Sequence, residues 1–317
     1  MSVLELKHVS YLYGKGTPFE KLALSDISVS FEEGKITGII GHTGSGKSTL
    51  VELLNGILTP TEGHVYFHGI DINRKPKELL ADEMARRRAE GKKDAKSRRA
   101  ILAELEKEAR SLRFRIGLVM QYPEYQLFDE TVLSDMSYGP RNMGLDESVI
   151  DRSVRDAADM AGIGSEMFER SPFDLSGGEK RRVAIAGVLA MRPEVLILDE
   201  PAAGLDPAGK KQVFDAISQY NALTGATVIL VSHSMEDLAM YCDRVLVMSR
   251  GSVHAYGTVE EVFSNPAEMR GLGLDVPQIA EIASRLTAAG ISLHGDLYTV
   301  EGMRQAILSA LGKEGSI

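Results

Sequence analysis

The sequence predicts an α/β fold in which a largely parallel sheet carries helices, with an antiparallel β subdomain, a helical subdomain and a small C-terminal appendage. Apolar runs such as 195–198 and 227–231 are typical of buried parallel strands, because helices cover both faces of such a sheet. A glycine-rich loop at 41–46 joins another apolar run to a helical pattern. Residues 3–31 instead alternate apolar and polar side chains, which is typical of antiparallel strands.

The individual elements follow from local patterns in chain order. Gly14, Gly16 and Pro18 interrupt the first alternating segment, so they mark the turn between its strands. Further strands are expected at 35–40, 64–68, 116–121, 195–198 and 227–231, and a hairpin of 245–248 with 252–256. Helices are expected at 48–58, 146–162, 178–191, 278–289 and 303–311, where apolar residues recur every three to four positions.

One segment differs from the rest in charge. From Arg74 to Arg115 the chain carries 15 Lys and Arg against 8 Asp and Glu, although the whole chain has a formal net charge of −9. Residues 75–112 are rich in charged residues and alanine, and we predict two amphipathic helices joined at 91–94. Such charge runs are most often solvated surface insertions.

The pattern changes again near residue 257. We therefore expect a main domain of residues 1–257, with a helical subdomain at about 122–190, and a small C-terminal domain of residues 258–317. The overall composition, 44% hydrophobic and 26% charged, is that of an ordinary globular protein.

We expect neither a signal peptide nor a membrane-spanning helix, since no apolar run approaches the ~20 residues that spanning requires. The single cysteine, Cys242, excludes an internal disulfide and fits a reducing compartment.

The glycine-rich loop fits the phosphate-binding pattern Gly-x4-Gly-Lys-Ser. Glycines let backbone N–H groups turn inward around phosphate oxygens, and the following helix adds the positive end of its dipole. We expect the Lys47 ammonium on the β- and γ-phosphates and the Ser48 hydroxyl on Mg²⁺. The predicted nucleotide-binding residues of this P-loop are Gly41, His42, Thr43, Gly44, Ser45, Gly46, Lys47, Ser48 and Thr49.

Two adjacent acids follow the apolar run 195–198. Asp199 is expected at the carboxyl end of a parallel strand, the edge where ligands bind in open α/β sheets, so its carboxylate is expected to hold Mg²⁺ directly or through water. Glu200 can polarise the water that attacks a terminal phosphate. An isolated Asp-Glu pair is usually a solvated surface feature, but the strand before it and the P-loop upstream favour catalysis here.

A third motif, Leu-Ser-Gly-Gly-Glu at 175–179, precedes a helical pattern. Ser176, Gly177 and Gly178 supply a hydroxyl, bare backbone amides and a helix N-terminus, which together form a second anion-binding surface. This surface would be redundant if one chain bound the nucleotide alone. We therefore expect it to contact ATP held by a neighbouring subunit.

These motifs, in this order over residues 3–257, resemble the ATP-binding subunits of ABC transporters, whose core is a P-loop ATPase domain. Two positions depart from the family pattern. Glu179 stands where glutamine is usual, and the Ala202-Ala203 pair replaces the more typical Thr/Ser-Ala. Both departures put the strength of the contact between two subunits in doubt.

The resemblance implies a Mg-dependent ATPase with ATP and Mg²⁺ as its ligands, and it assigns roles to further residues. Tyr13 matches the aromatic residue that stacks on adenine, with Tyr11 as the alternative. Gln121 matches the glutamine that contacts Mg²⁺ or water and senses the membrane partner, and His233 matches the histidine on the γ-phosphate. The segment 204–206 matches the loop through which two subunits communicate.

Four longer stretches of sequence make the resemblance more specific within the ABC transporter family. Residues 41–49, 120–128, 181–190 and 271–278 are similar to the ATPases of energy-coupling-factor importers, most of all to the second of their two types. Such importers take up vitamins or transition-metal ions, and they join two ATPases to a transmembrane scaffold subunit and a substrate-binding membrane subunit. The resemblance implies a peripheral motor subunit at the cytoplasmic face of the cell membrane. It also implies a second ABC ATPase as partner, in a heterodimer or a homodimer, with residues 258–317 as a dimerisation domain.

Other functions remain open from the sequence. A soluble ABC-class ATPase acting on nucleic acid or ribosomes would use the basic segment 75–112 to follow phosphates, yet that segment has no aromatic side chain to stack on bases. A non-hydrolysing nucleotide switch would have lost Glu200 or His233, and both are present. The insertion could also lie against anionic lipid headgroups, where each nearby Lys or Arg contributes about 1 kcal/mol.

We expect the full chain to show no salt-dependent affinity for DNA or RNA, because the acidic remainder of the chain opposes phosphate binding. Fluorescence anisotropy of labelled single- and double-stranded oligonucleotides, at about 50 mM and about 200 mM salt, measures this affinity. Binding that weakens by orders of magnitude between these two salt concentrations would instead favour the nucleic-acid function.

Overall fold

The computed structural model describes residues 1–89 and 97–312, which form two β-sheets with helices packed on them. The strands are β1 (Ser2–Tyr13), β2 (Lys21–Glu32), β3 (Ile36–Ile40), β4 (Glu62–Phe67), β5 (Ile70–Asp71), β6 (Ile116–Val119), β7 (Val195–Asp199), β8 (Thr227–Val231), β9 (Arg244–Ser249) and β10 (Ser252–Thr258). The helices are α1 (Lys47–Leu54), α2 (Pro76–Ala89), α3 (Arg98–Arg115), α4 (Val132–Asn142), α5 (Glu147–Met160), α6 (Gly177–Leu189), α7 (Pro207–Thr224), α8 (Met235–Tyr241), α9 (Val259–Phe263), α10 (Pro266–Gly271), α11 (Gln278–Ala288) and α12 (Val300–Ala310).

The N-terminal subdomain is a four-stranded antiparallel sheet in the order β2-β1-β4-β5. β1 and β2 are consecutive in sequence and pair from Ser2 opposite Glu32 to Tyr13 opposite Lys21. Their connection turns at Gly14, whose φ of 60° lies in the left-handed region that glycine adopts without strain. The predicted antiparallel subdomain is confirmed.

The core is a six-stranded sheet in the order β10-β9-β3-β8-β7-β6. All of its neighbouring strands run parallel except the edge strand β10, which pairs antiparallel with β9. Along β7, Val195 and Ile197 pack in the cluster shared with the antiparallel sheet, whereas Leu196 and Leu198 pack against the helices of the opposite face. Because both faces are covered, the strand is an uninterrupted apolar run, and the predicted parallel core is confirmed.

Sequence patterns missed several helices, α4 and α7 to α10, and misplaced the end of another. The helix predicted at 48–58 ends already at Leu54, because the chain turns away at Gly56 with a φ of 76°. α7 carried recognisable signals. Asp206 caps its first turn, Pro207 is its first residue, and Gly225 ends it in the left-handed conformation.

The basic insertion forms the two helices α2 and α3, as the sequence predicts, while their predicted junction at 91–94 lies outside the described residues. Leu80 and Ile101 are buried in the hairpin, and Leu112 joins the core cluster beneath the antiparallel sheet. α3 continues directly into β6, and the Arg115 guanidinium donates hydrogen bonds of 2.5 and 2.8 Å to the Glu194 carboxylate. The insertion is therefore a surface hairpin that is anchored to the core.

The last part of the chain has an apolar cluster of its own, formed by α11, α12 and the segment between them. Hydrogen bonds attach this part to the helices before it. The Tyr298 hydroxyl donates to the carbonyl oxygen of Glu260 in α9 at 3.3 Å, and the Gln278 backbone amide donates to a carboxylate oxygen of Glu236 in α8 at 3.4 Å. Throughout residues 1–89 and 97–312, no helix combines the length and the apolar character that crossing a membrane requires.

We expect the substitution Tyr220→Phe to destabilise the chain. Tyr220 is 1% exposed, and its hydroxyl donates a 2.7 Å hydrogen bond to the carbonyl oxygen of Pro193, just before β7. Removing the hydroxyl leaves a buried carbonyl unpaired, which costs about 1–3 kcal/mol and lowers the melting temperature by roughly 2–4 °C per kcal/mol. Thermal unfolding followed by circular dichroism measures the change. The matched control is Tyr125→Phe at a residue that is 84% exposed, and an equal effect there would contradict the prediction.

Candidate functional site

The glycine-rich loop lies between β3 and α1 and is tightly enclosed. A Cβ atom at Gly41 would lie 2.5 Å from the carbonyl oxygen of Met248. At Gly46, whose φ is 101°, a Cβ atom would lie 2.6 Å from the side chain of Leu24. Only glycine fits at these two positions, so the surrounding strands hold the loop backbone in one shape.

The Lys47 side chain is folded against this loop. Lys47 is 7% exposed, and its ammonium donates hydrogen bonds to the carbonyl oxygens of Gly41 at 2.6 Å and His42 at 3.2 Å. Burial lowers the pKa of Lys47, while the carboxylates of Glu200 and Asp199 oppose that shift. The ammonium therefore lies between the loop carbonyls and two acids.

Asp199 ends β7 beside the first turn of α1. The Ser48 hydroxyl donates a 3.3 Å hydrogen bond to the Asp199 carboxylate. Burial raises the pKa of Asp199, and the adjacent Glu200 carboxylate raises it further, whereas Ser48, Lys47 and His233 oppose the rise. A hydroxyl and a carboxylate oxygen thus lie together, and these are the hard oxygen donors that Mg²⁺ prefers.

Glu200 lies at the centre of the predicted catalytic residues. Its backbone has a φ of 52°, which is uncommon for any residue but glycine, and its amide donates a 3.0 Å hydrogen bond to the carbonyl oxygen of Val231. Its two carboxylate oxygens lie 3.2 Å from Gln121 Nε2 and 2.9 Å from His233 Nε2. Gln121, Glu200 and His233 follow three adjacent strands, β6, β7 and β8, and the structure brings them into contact.

Tyr13 lies next to the start of α1. Its hydroxyl is 3.2 Å from the Thr49 hydroxyl, and the residue is 40% exposed. Tyr11 packs instead against the core cluster of the antiparallel sheet, with its ring edge-on to Tyr13 at a centroid distance of 4.8 Å. Of the two tyrosines, Tyr13 offers the more accessible ring face beside the P-loop.

The motif at 175–179 forms the N-terminus of α6. Ser176 caps this helix. Its hydroxyl accepts a 3.4 Å hydrogen bond from the Glu179 amide, and the Glu179 carboxylate accepts a 2.8 Å hydrogen bond from the Ser176 amide. In the part of the chain that the structure describes, no hydrogen bond joins Ser176, Gly177 or Gly178 to residues 41–49. Among the described residues, a Cβ atom at Gly177 would meet no other atom within 4 Å, and one at Gly178 would meet only Leu205 and Arg182, so residues 41–49 of the same chain do not cover the tip of α6.

Arg181, which the sequence patterns did not single out, connects α6 to the loops that follow Gln121 and Glu200. Arg181 on α6 is 3% exposed and forms an ion pair with Glu124, in the short 3-10 helix after Gln121, with a nitrogen-to-oxygen distance of 2.6 Å. The available signal was its position one helical turn before the buried Ile185, which places an arginine on the inward face of α6.

Comparison with known proteins identifies the family. The ABC transporter family profile matches residues 24–203. The chain is 43% identical to the energy-coupling factor transporter ATP-binding protein EcfA2 of Caldanaerobacter subterraneus subsp. tengcongensis, over 97% of both chains. It is 45% identical to the EcfA2 protein of Symbiobacterium thermophilum, over 97% of this chain and 96% of that one. The chain belongs to the energy-coupling factor branch of the ABC transporter family.

Solved structures of ABC proteins share the fold of this chain. The cbiO1 protein of Clostridium perfringens, described as part of the ABC transporter complex cbiONQ, is 34% identical, with a TM-score of 0.66 over 89% of this chain and 99% of that one. A dimeric bacterial ABC transporter cassette is 25% identical, with a TM-score of 0.63 over 81% of this chain and 98% of that one. The expected ABC ATPase fold and the resemblance to energy-coupling-factor ATPases are confirmed.

We expect Asp199→Asn to raise the melting temperature of the nucleotide-free chain, because the buried Asp199 carboxylate adjoins that of Glu200. A folded-state pKa above the ordinary value of 3.8 means that ionisation of Asp199 opposes folding. The advantage of asparagine should therefore be full at neutral pH and vanish below the ordinary carboxyl pKa, where the folded and unfolded chains both hold the proton. Melting curves of both proteins across this pH range test the expectation. A gain that is equal at acidic and neutral pH would contradict it.

Proposed function

We propose that this chain is the ATP-hydrolysing motor subunit of an energy-coupling factor importer, in which ATP-driven closure of two ATPase subunits moves a transmembrane partner. The observation that carries the proposal is the convergence of Gln121, Glu200 and His233 beside Lys47 and Asp199. Each of these side chains has a chemical role in removing a terminal phosphoryl group.

Binding of the nucleotide uses the P-loop and the first turn of α1. The backbone amides of residues 41–49 face the phosphates at the start of a helix, where the helix dipole favours negative charge. The Lys47 ammonium exchanges the carbonyl oxygens of Gly41 and His42 for β- and γ-phosphate oxygens. The exposed ring of Tyr13 stacks on adenine.

The residues at the carboxyl end of β7 fit a Mg²⁺ ion bound together with the phosphates. Ser48 and Asp199 supply a hydroxyl and a carboxylate oxygen, and Gln121 adds a side-chain amide. The burial that raises the pKa of Asp199 leaves its carboxylate short of water, a setting that a divalent cation relieves. When bound, Mg²⁺ would offset the negative charge that develops on the phosphates.

Hydrolysis depends on how Glu200 and His233 are held. Glu200 has a left-handed backbone, and its carboxylate contacts Gln121 and His233. In that position the Glu200 carboxylate accepts a hydrogen bond from the attacking water and takes its proton. His233 contacts the γ-phosphate, and its Nε2 lies 2.9 Å from a Glu200 carboxylate oxygen, so the two side chains act at the same place.

A second ABC ATPase completes the site. Ser176, Gly177 and Gly178 at the N-terminus of α6 contact the ATP of that partner, since they lie apart from the P-loop of their own chain. The dimeric arrangement of a related cassette supports this assembly. We expect a heterodimer with a first-type ATPase, with residues 258–317 as the dimerisation domain, and a homodimer is the other possible result of co-purification.

The transmembrane scaffold subunit docks beside Gln121. Four aromatic residues after this glutamine are exposed, and their rings contact one another in two pairs. These residues are Tyr122, Tyr125, Phe128 and Tyr138, with exposures of 46%, 84%, 58% and 50%. Exposed, clustered aromatics of this kind are typical of protein interfaces. Docking there makes the chain a peripheral protein on the cytoplasmic face of the membrane, joined through the scaffold to the substrate-binding membrane subunit.

The alternative function on nucleic acid or ribosomes is not favoured. The related proteins are named as components of transporters. In the insertion, Arg74, Arg87 and Arg115 form ion pairs with Asp82, Glu83 and Glu194, so these cations are engaged within the protein.

We expect Glu200→Gln to lower the ATP hydrolysis rate of the assembled transporter by about 10²–10⁴-fold while ATP still binds, because the amide cannot take the proton of water. Phosphate release from Mg-ATP measures hydrolysis, and equilibrium binding of a fluorescent ATP analogue measures affinity. The control is Glu33→Gln at an exposed turn, which should leave both quantities unchanged. Hydrolysis at the wild-type rate by Glu200→Gln would end the catalytic assignment.

A further inference from the structure

The ion pair of Arg181 and Glu124 joins three segments that are distant in sequence. Arg181 lies on α6, Glu124 in the loop that follows Gln121, and Ala203 in the loop between β7 and α7. Arg181 Nε and Nη2 donate hydrogen bonds to the two oxygens of Glu124 at 3.0 and 2.6 Å. The third nitrogen, Nη1, donates to the carbonyl oxygen of Ala203. A single guanidinium thus uses each of its nitrogens to hold neighbouring loops to α6.

This group of contacts is buried. The side chains of Arg181 and Glu124 are 4% and 15% exposed. Burial raises the pKa of Glu124, but the hydrogen bonds from Arg181, a hydrogen bond from the backbone and the charge of Arg181 together hold that pKa below its ordinary value. The ring of Tyr122 lies 5.8 Å from the guanidinium carbon and adds a cation–π contact. The Glu124 carboxylate therefore stays charged inside the protein.

Stability is a weak reason for such an arrangement. The cost of removing two charges from water offsets their attraction, and apolar pairs of similar volume are often equally stable or more so. A guanidinium instead fixes the relative orientation of the two side chains, because its planar donors fit a carboxylate in one orientation. If α6 or the loop that carries Glu124 moves alone, a buried charge loses its partner, and if the loop that carries Ala203 moves alone, a buried N–H group loses its acceptor. These contacts favour joint movement of the three segments.

We propose that Arg181 is a positioning residue that couples the loop after Gln121 to the tip of α6. The inference rests on the function proposed above, in which a transmembrane subunit docks on the aromatic residues after Gln121 and Ser176 contacts the ATP of a second subunit. Displacement of the docked loop is passed through Glu124 to Arg181, and from there to α6 and its N-terminal Ser176. The bond to Ala203 carries the same displacement to the loop that follows Glu200.

Arg192, just after the other end of α6, provides a matched control. Its guanidinium forms a 2.6 Å ion pair with Asp156 on α5. The two side chains are 55% and 48% exposed, and the pair reaches neither of the two loops. Arg192→Met therefore removes an arginine and an ion pair next to the same helix without touching the proposed coupling.

The test compares Arg181→Met, the double variant Arg181→Met with Glu124→Leu, and Arg192→Met, each in the complete transporter reconstituted in lipid vesicles. Arg181→Met should lower the melting temperature, because it leaves the Glu124 carboxylate buried without a partner, and the double variant should recover it. In both of these variants we expect the kcat for ATP hydrolysis to stay about tenfold below wild type, a typical size for coupling between sites. The KM for ATP should change by no more than about twofold, since no contact with nucleotide is removed. Arg192→Met should keep the wild-type kcat.

The double variant separates positioning from a merely structural role. If Arg181 only stabilised the fold, kcat would recover together with the melting temperature, and wild-type kcat in the double variant would overturn the inference. If the double variant does not fold, Arg181→Lys takes its place, because lysine keeps the charge but lacks the planar donor set. A wild-type kcat there would likewise overturn the inference. Failure of the proposed function looks different, since the wild-type assembly itself would then hydrolyse no ATP.

Discussion

The parallel register of β6, β7, β8 and β3 is the constraint on which the site depends. Val119 lies opposite Leu198, and Leu198 opposite Leu230, so these strands reach the carboxyl edge of the sheet at the same level. Gln121 and Glu200 each follow a matched position by two residues, which brings their side chains to one place. A shift of a single residue in one strand would reverse the side chains of that strand and separate the group.

Burial opposes the charges of Lys47 and Asp199 near this edge of the sheet. Burial lowers the pKa of Lys47 and raises that of Asp199, so the charged form of each group is destabilised there. The Lys47 ammonium and the Asp199 carboxylate attract each other, and this attraction opposes the effect of burial on both pKa values. The arrangement suits a ligand that carries both phosphates and a divalent cation.

One of the two departures from the family pattern has a local explanation. Glu179 closes a capping box with Ser176, and a glutamate serves that purpose as well as a glutamine does. Hydrogen bonding to the Ser176 side chain, and then to the Ser176 amide, lowers the pKa of Glu179, which fits a carboxylate at a helix N-terminus. The second departure lies at Ala202, since Ala203 matches the family pattern, and nothing in the structure explains it.

The sequence by itself determined the fold class and the residues of the P-loop, the acid pair and the tip of α6. These depend on local order, namely a strand, a glycine turn and a helix start, which short patterns encode. The sequence patterns did not predict several helices, among them α7, although α7 carries a cap, a first-turn proline and a terminal glycine.

Only the tertiary structure decided which of these residues touch. The contact of Glu200 with both Gln121 and His233 depends on strand order in the sheet, and strand order is set by packing of the whole chain. The role of Arg181 was hidden for the same reason. Its partners Glu124 and Ala203 lie far away in sequence, and a buried charge can be recognised only when the groups that satisfy it are in view.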